Sequence, residues 1–181
     1  MVSLGKMRNA IYYLAYTAYY VLGGEPIGKW LGKGAERLGL VGAVRKRHLQ
    51  NIVRGLSPKG DALVKNVGSK KRNAGIDLTF SAPKGVSVLW AIAPKWLRLT
   101  IEGCHDRAVR RALQFLEEEL LFLRRGRNGT QQHQCEMVAA LFQHSSSRLG
   151  DPDLHTHALV FNAGHAAGRW NAIDARHIYA W

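Results

Sequence analysis

The sequence predicts a single α+β domain, in which a central antiparallel sheet carries three histidines and helices pack on one face of that sheet. Residues 154–161, L-H-T-H-A-L-V-F, have the composition of a largely buried strand. Residues 94–123 place apolar side chains near helical spacing over a long stretch. The chain has 181 residues, 46% of them hydrophobic, which suffices for one buried core. We therefore expect residues 1–181 to form one domain.

Periodicity and turn residues predict most of the individual elements. In chain order, we expect a helix over about 7–22, a turn at 23–26, a short helix over 34–38, a strand near 62–66, a strand over 77–82, a long helix over 94–123, strands near 136–144, 154–162 and 169–171, and a helix that begins at 173–174. The run V-S-V-L-W-A-I-A after Pro83-Lys84-Gly85 fits either a strand or a helix.

The histidines of the run F-Q-H-S-S-S-R-L-G-D-P-D-L-H-T-H have the spacing of a metal site. In a strand, residues i and i+2 point to the same face, so His155 and His157 can present both imidazoles together. A neighbouring strand that ends at His144 could bring a third imidazole beside them. Three neutral imidazoles bind a divalent ion and leave positions open, as catalytic metals require. The alternative is that His155 and His157 are half-buried strand histidines satisfied by backbone groups.

Five tyrosines lie close together near the N-terminus, in Y-Y-L-A-Y-T-A-Y-Y. On a helix, Tyr12, Tyr16, Tyr19 and Tyr20 would share one face. Such a stripe can be an aromatic core or, after Lys6 and Arg8, part of a signal peptide, although the phenol hydroxyls and Gly23-Gly24-Glu25-Pro26 argue against a signal. A phenol is also a competent nucleophile toward a phosphodiester. Together with a metal and a positive charge, these tyrosines suggest strand transfer by in-line attack on a scissile phosphate.

The charge favours a nucleic-acid partner. There are 26 Lys and Arg residues against 13 Asp and Glu residues, a formal net charge of +13. Basic clusters at 45–48, 65–72 and 124–129 suit loops that follow a phosphate backbone, although each can also be a solvated turn. Trp30 and Trp170 could stack on bases, but a core position is expected for at least one of them. Cys104 and Cys135 have neither metal-type nor disulfide-type spacing, so we expect a reducing cytoplasm. The sequence shows no spanning helix, so we expect no membrane insertion.

Three ordered motifs resemble those of the MobF-type conjugative relaxases, the TrwC and TraI group of the HUH endonuclease superfamily. They are Y-Y-x5-Y-Y followed by W-L-G-K-G-A-E-R-L-G-L at 30–40, D-L-T-F-S-A-P-K at 77–84, and H-x10-H-T-H preceded by D-P-D-L. Thr156 departs from the pattern of the wider superfamily, which has a bulky hydrophobe between the paired histidines, but threonine is common in this branch. The resemblance covers almost the whole chain and favours a helix for the run V-S-V-L-W-A-I-A.

The resemblance implies roles for individual residues. Tyr12 matches the tyrosine that nicks the transferred strand and stays attached to its 5′ phosphate, leaving a free 3′-OH. Tyr19 or Tyr20 matches the tyrosine of a later transfer step, and Tyr13 ranks third. Asp77 matches the acidic residue that activates the nucleophile or orients a histidine. His144, His155 and His157 match the ligands of the divalent ion. Family members use Mg²⁺, Mn²⁺ or similar ions, whereas an all-imidazole site intrinsically favours Zn²⁺.

The expected partners are single-stranded DNA at a transfer origin, a larger relaxosome and a fused or separate helicase. The chain lacks a P-loop, so no ATPase belongs to it. It ends shortly after the last motif, and we expect a catalytic core truncated at the C-terminus relative to the family. Two other hypotheses stay open. A non-catalytic basic nucleic-acid-binding module would bind regardless of chelators, and a metal-dependent hydrolase that uses water would form no covalent adduct.

Overall fold

The computed structural model describes residues 1–7, 27–69, 72–125, 131–147 and 149–179. Its elements, in chain order, are β1 (Val2–Lys6), β2 (Lys29–Leu31), α1 (Lys33–Arg37), α2 (Lys46–Arg54), β3 (Gly75–Ser81), α3 (Lys84–Ile92), α4 (Lys95–Phe115), β4 (Phe122–Arg125), β5 (Gln131–Gln134), β6 (Ala139–Ser146), β7 (Pro152–Phe161), β8 (Gly164–Ala166), β9 (Arg169–Asn171), β10 (Ile173–Asp174) and α5 (Arg176–Tyr179). A π-helical turn, Leu116–Leu120, continues α4.

The main sheet has five antiparallel strands in the order β1-β3-β7-β6-β2, so β7 lies at its centre. A three-stranded sheet, β10-β4-β5, and a two-stranded sheet, β8-β9, are separate from it. The prediction of an α+β domain with a central antiparallel sheet is confirmed. The expected pairing between the strand that ends near His144 and the strand of His155 and His157 is also confirmed.

The two faces of the main sheet belong to two different buried clusters. Because side chains alternate along each strand, Leu78 and Ala158 lie on one face and join Leu113 of α4 in one cluster. Leu159 and Phe142 lie on the other face, which also carries the histidines, and join Leu49 of α2 in a second cluster. Helix α4 thus packs behind the histidines, and α2 covers part of the face in front of them.

Several elements differ from the sequence predictions. The basic run at 45–48 begins the helix α2 rather than a loop, because Leu49, Ile52 and Val53 bury one helical face and Gly55 ends the helix at φ 85°. The strand expected near 62–66 is only an isolated bridge between Leu56 and Ala62. The ambiguous run after Gly85 is helical, as the resemblance favoured.

The long helix is shorter than its apolar pattern predicted. It ends at Phe115, and after the π-helical turn Leu121 is extended. Leu121 and Leu123 are both fully buried, which is the two-residue period of a strand, and β4 pairs with β5 and β10. None of the helices in these described ranges is long and apolar enough to cross a membrane. Cys104 and Cys135 are both free thiols.

Candidate metal centre

The three histidines predicted to bind a metal lie together at the centre of the main sheet. His144 of β6 pairs directly with His155 of β7, and His157 lies two residues further along the same face. The ring centres are 5.2 Å apart for His144 and His155, 5.6 Å for His144 and His157, and 5.2 Å for His155 and His157. His144 is buried, with 5% of its surface exposed, and the other two are half-buried.

These separations suit a shared divalent ion. An imidazole nitrogen about 2.1 Å from an ion puts its ring centre roughly 3.2 Å away, so two rings at a tetrahedral angle have centres roughly 5.2 Å apart. In the part of the chain that the structure describes, no group of three or more His, Cys, Asp or Glu side chains is already arranged as a complete ion site. The separations of the ring centres thus fit a shared ion, although the side chains are not arranged around one in this structure.

Asp77 of β3 holds His157 in one orientation. Both carboxylate oxygens lie 3.0 Å from Nδ1 of His157, and Asp77 is 6% exposed. A carboxylate paired with a ring nitrogen fixes the proton on Nδ1 and leaves the lone pair on Nε2. The hydroxyl of Thr79, directly opposite His157 in the sheet, lies 3.2 Å from the same nitrogen. A histidine whose second nitrogen is held in this way is the usual form of a protein metal ligand.

The backbone at the start of β7 orients His155. The pairing of His144 with His155 and of Ser146 with Pro152 leaves two β7 residues opposite one β6 residue, which is a β-bulge. Nδ1 of His155 lies 2.8 Å from the carbonyl oxygen of Asp153, and since a carbonyl only accepts, Nδ1 carries the proton. Burial lowers the pKa of His155, and the neighbouring histidines lower it further. The hydrogen bond to the Asp153 carbonyl opposes this by raising the pKa, but the net shift is downward. Its ring is thus predisposed to the neutral form that binds metals.

Two residues of this site were not singled out from the sequence. Thr79 follows Asp77 by two residues in D-L-T, so the strand period could have placed it on the same face. Ser87 of α3 is fully buried and accepts a hydrogen bond from the amide of Leu154, at 3.0 Å. No local sequence signal indicates that contact, because it joins residues 67 positions apart.

The tyrosines predicted to be catalytic, Tyr12, Tyr13, Tyr19 and Tyr20, lie outside the described residues. Before them, Met7 is fully buried in the cluster on the histidine face, and its amide donates to the carbonyl of Gly75, at 3.1 Å. Gly75 begins β3, the strand that carries Asp77 two residues later. The described chain therefore leaves the sheet beside the strand of Asp77, five residues before Tyr12.

The basic and aromatic residues occupy different environments. Arg45 and Arg47 are exposed at the start of α2, whereas Arg72 is half-buried and donates to the carbonyls of Val53 and Asn162. Burial lowers the pKa of Arg72. Trp30 is buried, with its ring centre 6.0 Å from that of Phe161, which confirms a core position for one of the two tryptophans.

A family model described as TrwC relaxase matches residues 6–181 of this chain. The multifunctional conjugation protein TraI of Escherichia coli strain K12 is 38% identical over 184 residues, which cover 97% of this chain and 10% of TraI. A second Escherichia coli TraI is 39% identical over 178 residues, which cover 96% of this chain and 10% of that protein. The chain thus spans about a tenth of the length of the curated relatives that it matches.

Solved structures of the conjugative relaxase TrwC have the same fold. A copper-bound complex of TrwC with oriT DNA superposes with a TM-score of 0.82 at 31% identity, over 99% of this chain and 64% of TrwC. A complex of TrwC with a 27-mer DNA comprising the recognition hairpin and the cleavage site has a TM-score of 0.76 at 29% identity, over 99% of this chain and 62% of that one. A further complex of TrwC with oriT DNA is described as metal-bound.

Proposed function

The chain belongs to the TrwC relaxase family, and we propose from this premise that it is the catalytic core of a conjugative relaxase. Its activity would be the site- and strand-specific nicking of single-stranded DNA by a tyrosine, followed by strand transfer. We propose that residues 1–181 act as one catalytic domain. The observation that carries the proposal is the cluster of His144, His155 and His157 on one sheet face, with the buried carboxylate of Asp77 on His157.

The proposed ligands of the divalent ion are these three histidines, through their Nε2 atoms. Nδ1 of His155 and Nδ1 of His157 both face oxygen acceptors, which supports Nε2 as the free donor on each ring. When bound, the ion would neutralise charge on the scissile phosphate and polarise it. Mg²⁺ and Mn²⁺ are the ions that the family resemblance implies, whereas imidazole ligands favour Zn²⁺ or copper. The experiment below therefore compares ions rather than assuming one.

The proposed nucleophile is the phenol oxygen of Tyr12, with Tyr19 or Tyr20 for a second transfer and Tyr13 ranked after them. The tyrosine oxygen forms a bond to phosphorus as the bond to the 3′ oxygen breaks. The phenol loses a proton, and the leaving 3′ oxygen gains one, so the products are a 5′-phosphotyrosine and a free 3′-OH. Both oxygens of Asp77 face Nδ1 of His157, which favours orientation of the metal ligand over proton transfer as the role of Asp77.

The proposed substrate is single-stranded DNA at a transfer origin. The net charge of +13 supports a polyanionic partner, and the TrwC structures contain oriT DNA. A relaxosome and a helicase, fused or separate, are proposed as partners on the family resemblance, together with a cytoplasmic location. The basic residues at the start of α2 are exposed and are suitable contacts for phosphates.

The experiment is a nicking assay on single-stranded oligonucleotides that carry candidate transfer origins. The protein is incubated with Mg²⁺, Mn²⁺, Zn²⁺ or EDTA, and the products are separated on a denaturing gel and examined by peptide mass spectrometry. We expect a chelator-sensitive covalent adduct on Tyr12 or Tyr19. His157→Ala should abolish metal-dependent nicking, whereas His133→Ala, which removes a histidine outside the cluster, should not.

The same assay separates the alternative functions. Metal-dependent cleavage without a protein–DNA adduct would favour a hydrolase in which water attacks. DNA binding that survives EDTA, without any cleavage under the four conditions, would favour a non-catalytic binding module. Either result would contradict the proposed tyrosine chemistry.

A further inference from the structure

Two side chains from the helical layer hold β7 from the side opposite the histidines. Along residues 154–157, the side chains of Leu154 and Thr156 face α3 and α4, and those of His155 and His157 face the candidate metal centre. We propose that Ser87 and His105 are positioning residues for the paired histidines. They act through Leu154 and Thr156, the two residues that alternate with the ligands.

Ser87 secures the bulge that orients His155. Its hydroxyl oxygen accepts the amide of Leu154, and the carbonyl of Leu154 accepts the amide of Ala82, at 2.9 Å. Both bonds therefore restrain the peptide groups on either side of Leu154. The carbonyl that faces His155 belongs to Asp153, whose peptide bond contains that same Leu154 amide. Loss of the Ser87 hydroxyl would free this peptide to rotate and would weaken the proton placement on His155.

His105 holds the residue between the two histidines. Its Nε2 lies 3.0 Å from Oγ1 of Thr156, which is 4% exposed in an apolar surrounding that includes Phe80 and Ala158. A buried hydroxyl in such a place needs a hydrogen-bond partner, and His105 supplies it. This contact gives a physical reason for a hydroxyl-bearing side chain at position 156. The polar partner is His105 of α4, which contacts Thr156 from the helical side of the sheet.

The consequence is that the distance between the paired imidazoles depends on the packing of α3 and α4 behind the sheet. The Cβ atoms of His155 and His157 are fixed by the backbone of residues 154–157, which Ser87 and His105 restrain at two points. The helices would contribute to ligand geometry through the backbone of β7, without supplying a ligand themselves. This inference rests on the proposed metal centre, so its test contains one measurement with an ion and one without.

The variants are Ser87→Ala, Thr156→Val and His105→Leu, with Thr156→Ser as the variant that keeps the hydroxyl. The matched control is Ser57→Ala, since Ser57 is also a buried serine whose hydroxyl accepts backbone amides, those of Lys59 and Asp61, in a loop away from β7. Co²⁺ is the probe ion, and its affinity is measured by calorimetry and visible absorption well below each melting temperature. Without an ion, the ring nitrogens of ¹⁵N-labelled histidines are observed by NMR.

We expect Ser87→Ala and Thr156→Val to weaken Co²⁺ binding about tenfold, the lower end of the effect of residues that orient metal ligands. Ser57→Ala and Thr156→Ser should bind as the wild type does. In the ion-free protein, His155 should be protonated at Nδ1, and Ser87→Ala should convert it to a mixture of tautomers. His105→Leu tests the same contact from the helix if Thr156→Val does not fold.

Unchanged affinity in Ser87→Ala, Thr156→Val and His105→Leu, together with an unchanged tautomer of His155 in Ser87→Ala, would overturn the positioning role. If the wild type itself binds no Co²⁺, Zn²⁺ or Mn²⁺, the proposed metal centre fails instead. The tautomer measurement would then still decide whether Ser87 positions His155, because it needs no ion. The two failures are therefore distinguishable.

Discussion

Asp77 and His157 interact diagonally across two neighbouring strands. In the register of β3 and β7, Asp77 pairs with Leu159, and His157 pairs with Thr79. The carboxylate therefore reaches two residues along the partner strand, where both of its oxygens lie 3.0 Å from Nδ1 of His157. Because Asp77 is buried, water screens this contact only weakly. The contact holds the ring with Nε2 directed away from the carboxylate.

This contact predicts that Asp77→Asn weakens divalent-ion binding by about 10- to 100-fold, because the neutral amide no longer fixes the His157 tautomer. Calorimetric titration with Mn²⁺ and Zn²⁺ measures the change. Asp151→Asn is the control, since it removes an exposed charge shortly before β7, and Asp151 has no described side-chain contact with a histidine. Equal affinities for the wild type and Asp77→Asn would show that the carboxylate does not orient a ligand.

Glu117 joins three parts of the fold at the π-helical turn. Its Oε1 accepts the amides of Met137, at 2.6 Å, and Lys33, at 3.0 Å, and so connects the end of α4 to the segment before β6 and to the start of α1. Burial raises the pKa of Glu117. The hydrogen bonds from the two amides lower it, but the effect of burial is larger, so the net shift is upward. The two hydrogen bonds are therefore useful to the fold, and the negative charge that accompanies them is costly.

The charge of Glu117 predicts a pH-dependent variant. With a raised pKa in the folded state, Glu117 binds a proton more tightly when folded than when unfolded, so deprotonation disfavours folding. Its contribution to stability is lost as pH rises from the ordinary carboxyl value of 4.5 through the raised value. Glu117→Gln retains an acceptor without that charge. The stability of Glu117→Gln relative to the wild type should therefore increase as pH rises through this range. Urea unfolding of both proteins at several pH values measures the difference in their free energies of unfolding.

Glu117→Ala provides the contrasting result for the same position. It leaves the amides of Met137 and Lys33 without their acceptor, and should cost roughly 1–3 kcal/mol below pH 4.5. This cost should decrease as pH rises through the same window, because Glu117→Ala also removes the charge. If Glu117→Gln is as unstable as Glu117→Ala at neutral pH, the carboxylate charge itself is required and the expectation for Glu117→Gln is wrong.

The histidine cluster could be predicted from the sequence because its three residues lie close together along the chain. The i, i+2 spacing of His155 and His157 determines a shared face in any strand, and a hairpin-like return places His144 nearby. The orientation of each ring could not be predicted in the same way. It depends on the bulge at Asp153 and on the hydrogen bond that His157 donates to Asp77 of β3, whose register with β7 is set by the whole sheet.

The missed elements are short or have competing patterns. Strands β1 and β2 have five and three residues, too few for a recognisable alternation, and β1 is exposed along its whole length. The basic residues at the start of α2 indicate a loop when only charge is considered, whereas the buried face of Leu49, Ile52 and Val53 requires a helix. At the end of α4, the helical and strand periods overlap in Leu116, Leu121 and Leu123, and only the pairing of β4 with its neighbours decides between them.

The glycines of the W-L-G-K-G-A-E motif have a packing role that predicts a large loss of stability on substitution. Gly32 has φ 105°, and a Cβ there would lie 2.3 Å from the carbonyl oxygen of Met137, the oxygen that accepts the amide of Ala35. Gly32→Ala combines backbone strain with a clash against the backbone and should cost roughly 2–5 kcal/mol. Gly39→Ala is the control, because Gly39 has φ 70° and nothing within 4 Å of its Cβ position.

Gly39→Ala introduces backbone strain without a clash, and should lower the free energy of unfolding by about 1–2 kcal/mol. The difference between the two variants, measured by urea unfolding, reports the contact with Met137 together with the greater backbone strain of alanine at Gly32, whose φ is 105° and ψ 150°. A difference near zero would mean that α1 can shift away from β6 without loss. Such a result would remove the packing explanation for this motif.

The last prediction concerns the proposed nucleophile. Tyr12→Phe should abolish nicking, because it removes the oxygen that would bond to phosphorus. DNA affinity should change by less than about tenfold, since one hydroxyl contributes only about 1 kcal/mol to binding. Tyr179→Phe is the control, because it removes the hydroxyl of an exposed tyrosine on α5. Nicking is followed on denaturing gels, and affinity is measured by fluorescence anisotropy with a labelled origin oligonucleotide.

The same measurements distinguish which of the tyrosines attacks the DNA. If Tyr12→Phe still forms an adduct, mass spectrometry of the attached peptide identifies which of Tyr13, Tyr19 and Tyr20 replaces it. If only the double variant Tyr12→Phe with Tyr19→Phe is inactive, the two tyrosines are interchangeable in the first step. Full activity in a variant that lacks the hydroxyls of all five tyrosines, Tyr16 included, would exclude tyrosine attack from this segment, and the histidine cluster would then have to serve a reaction with a different nucleophile.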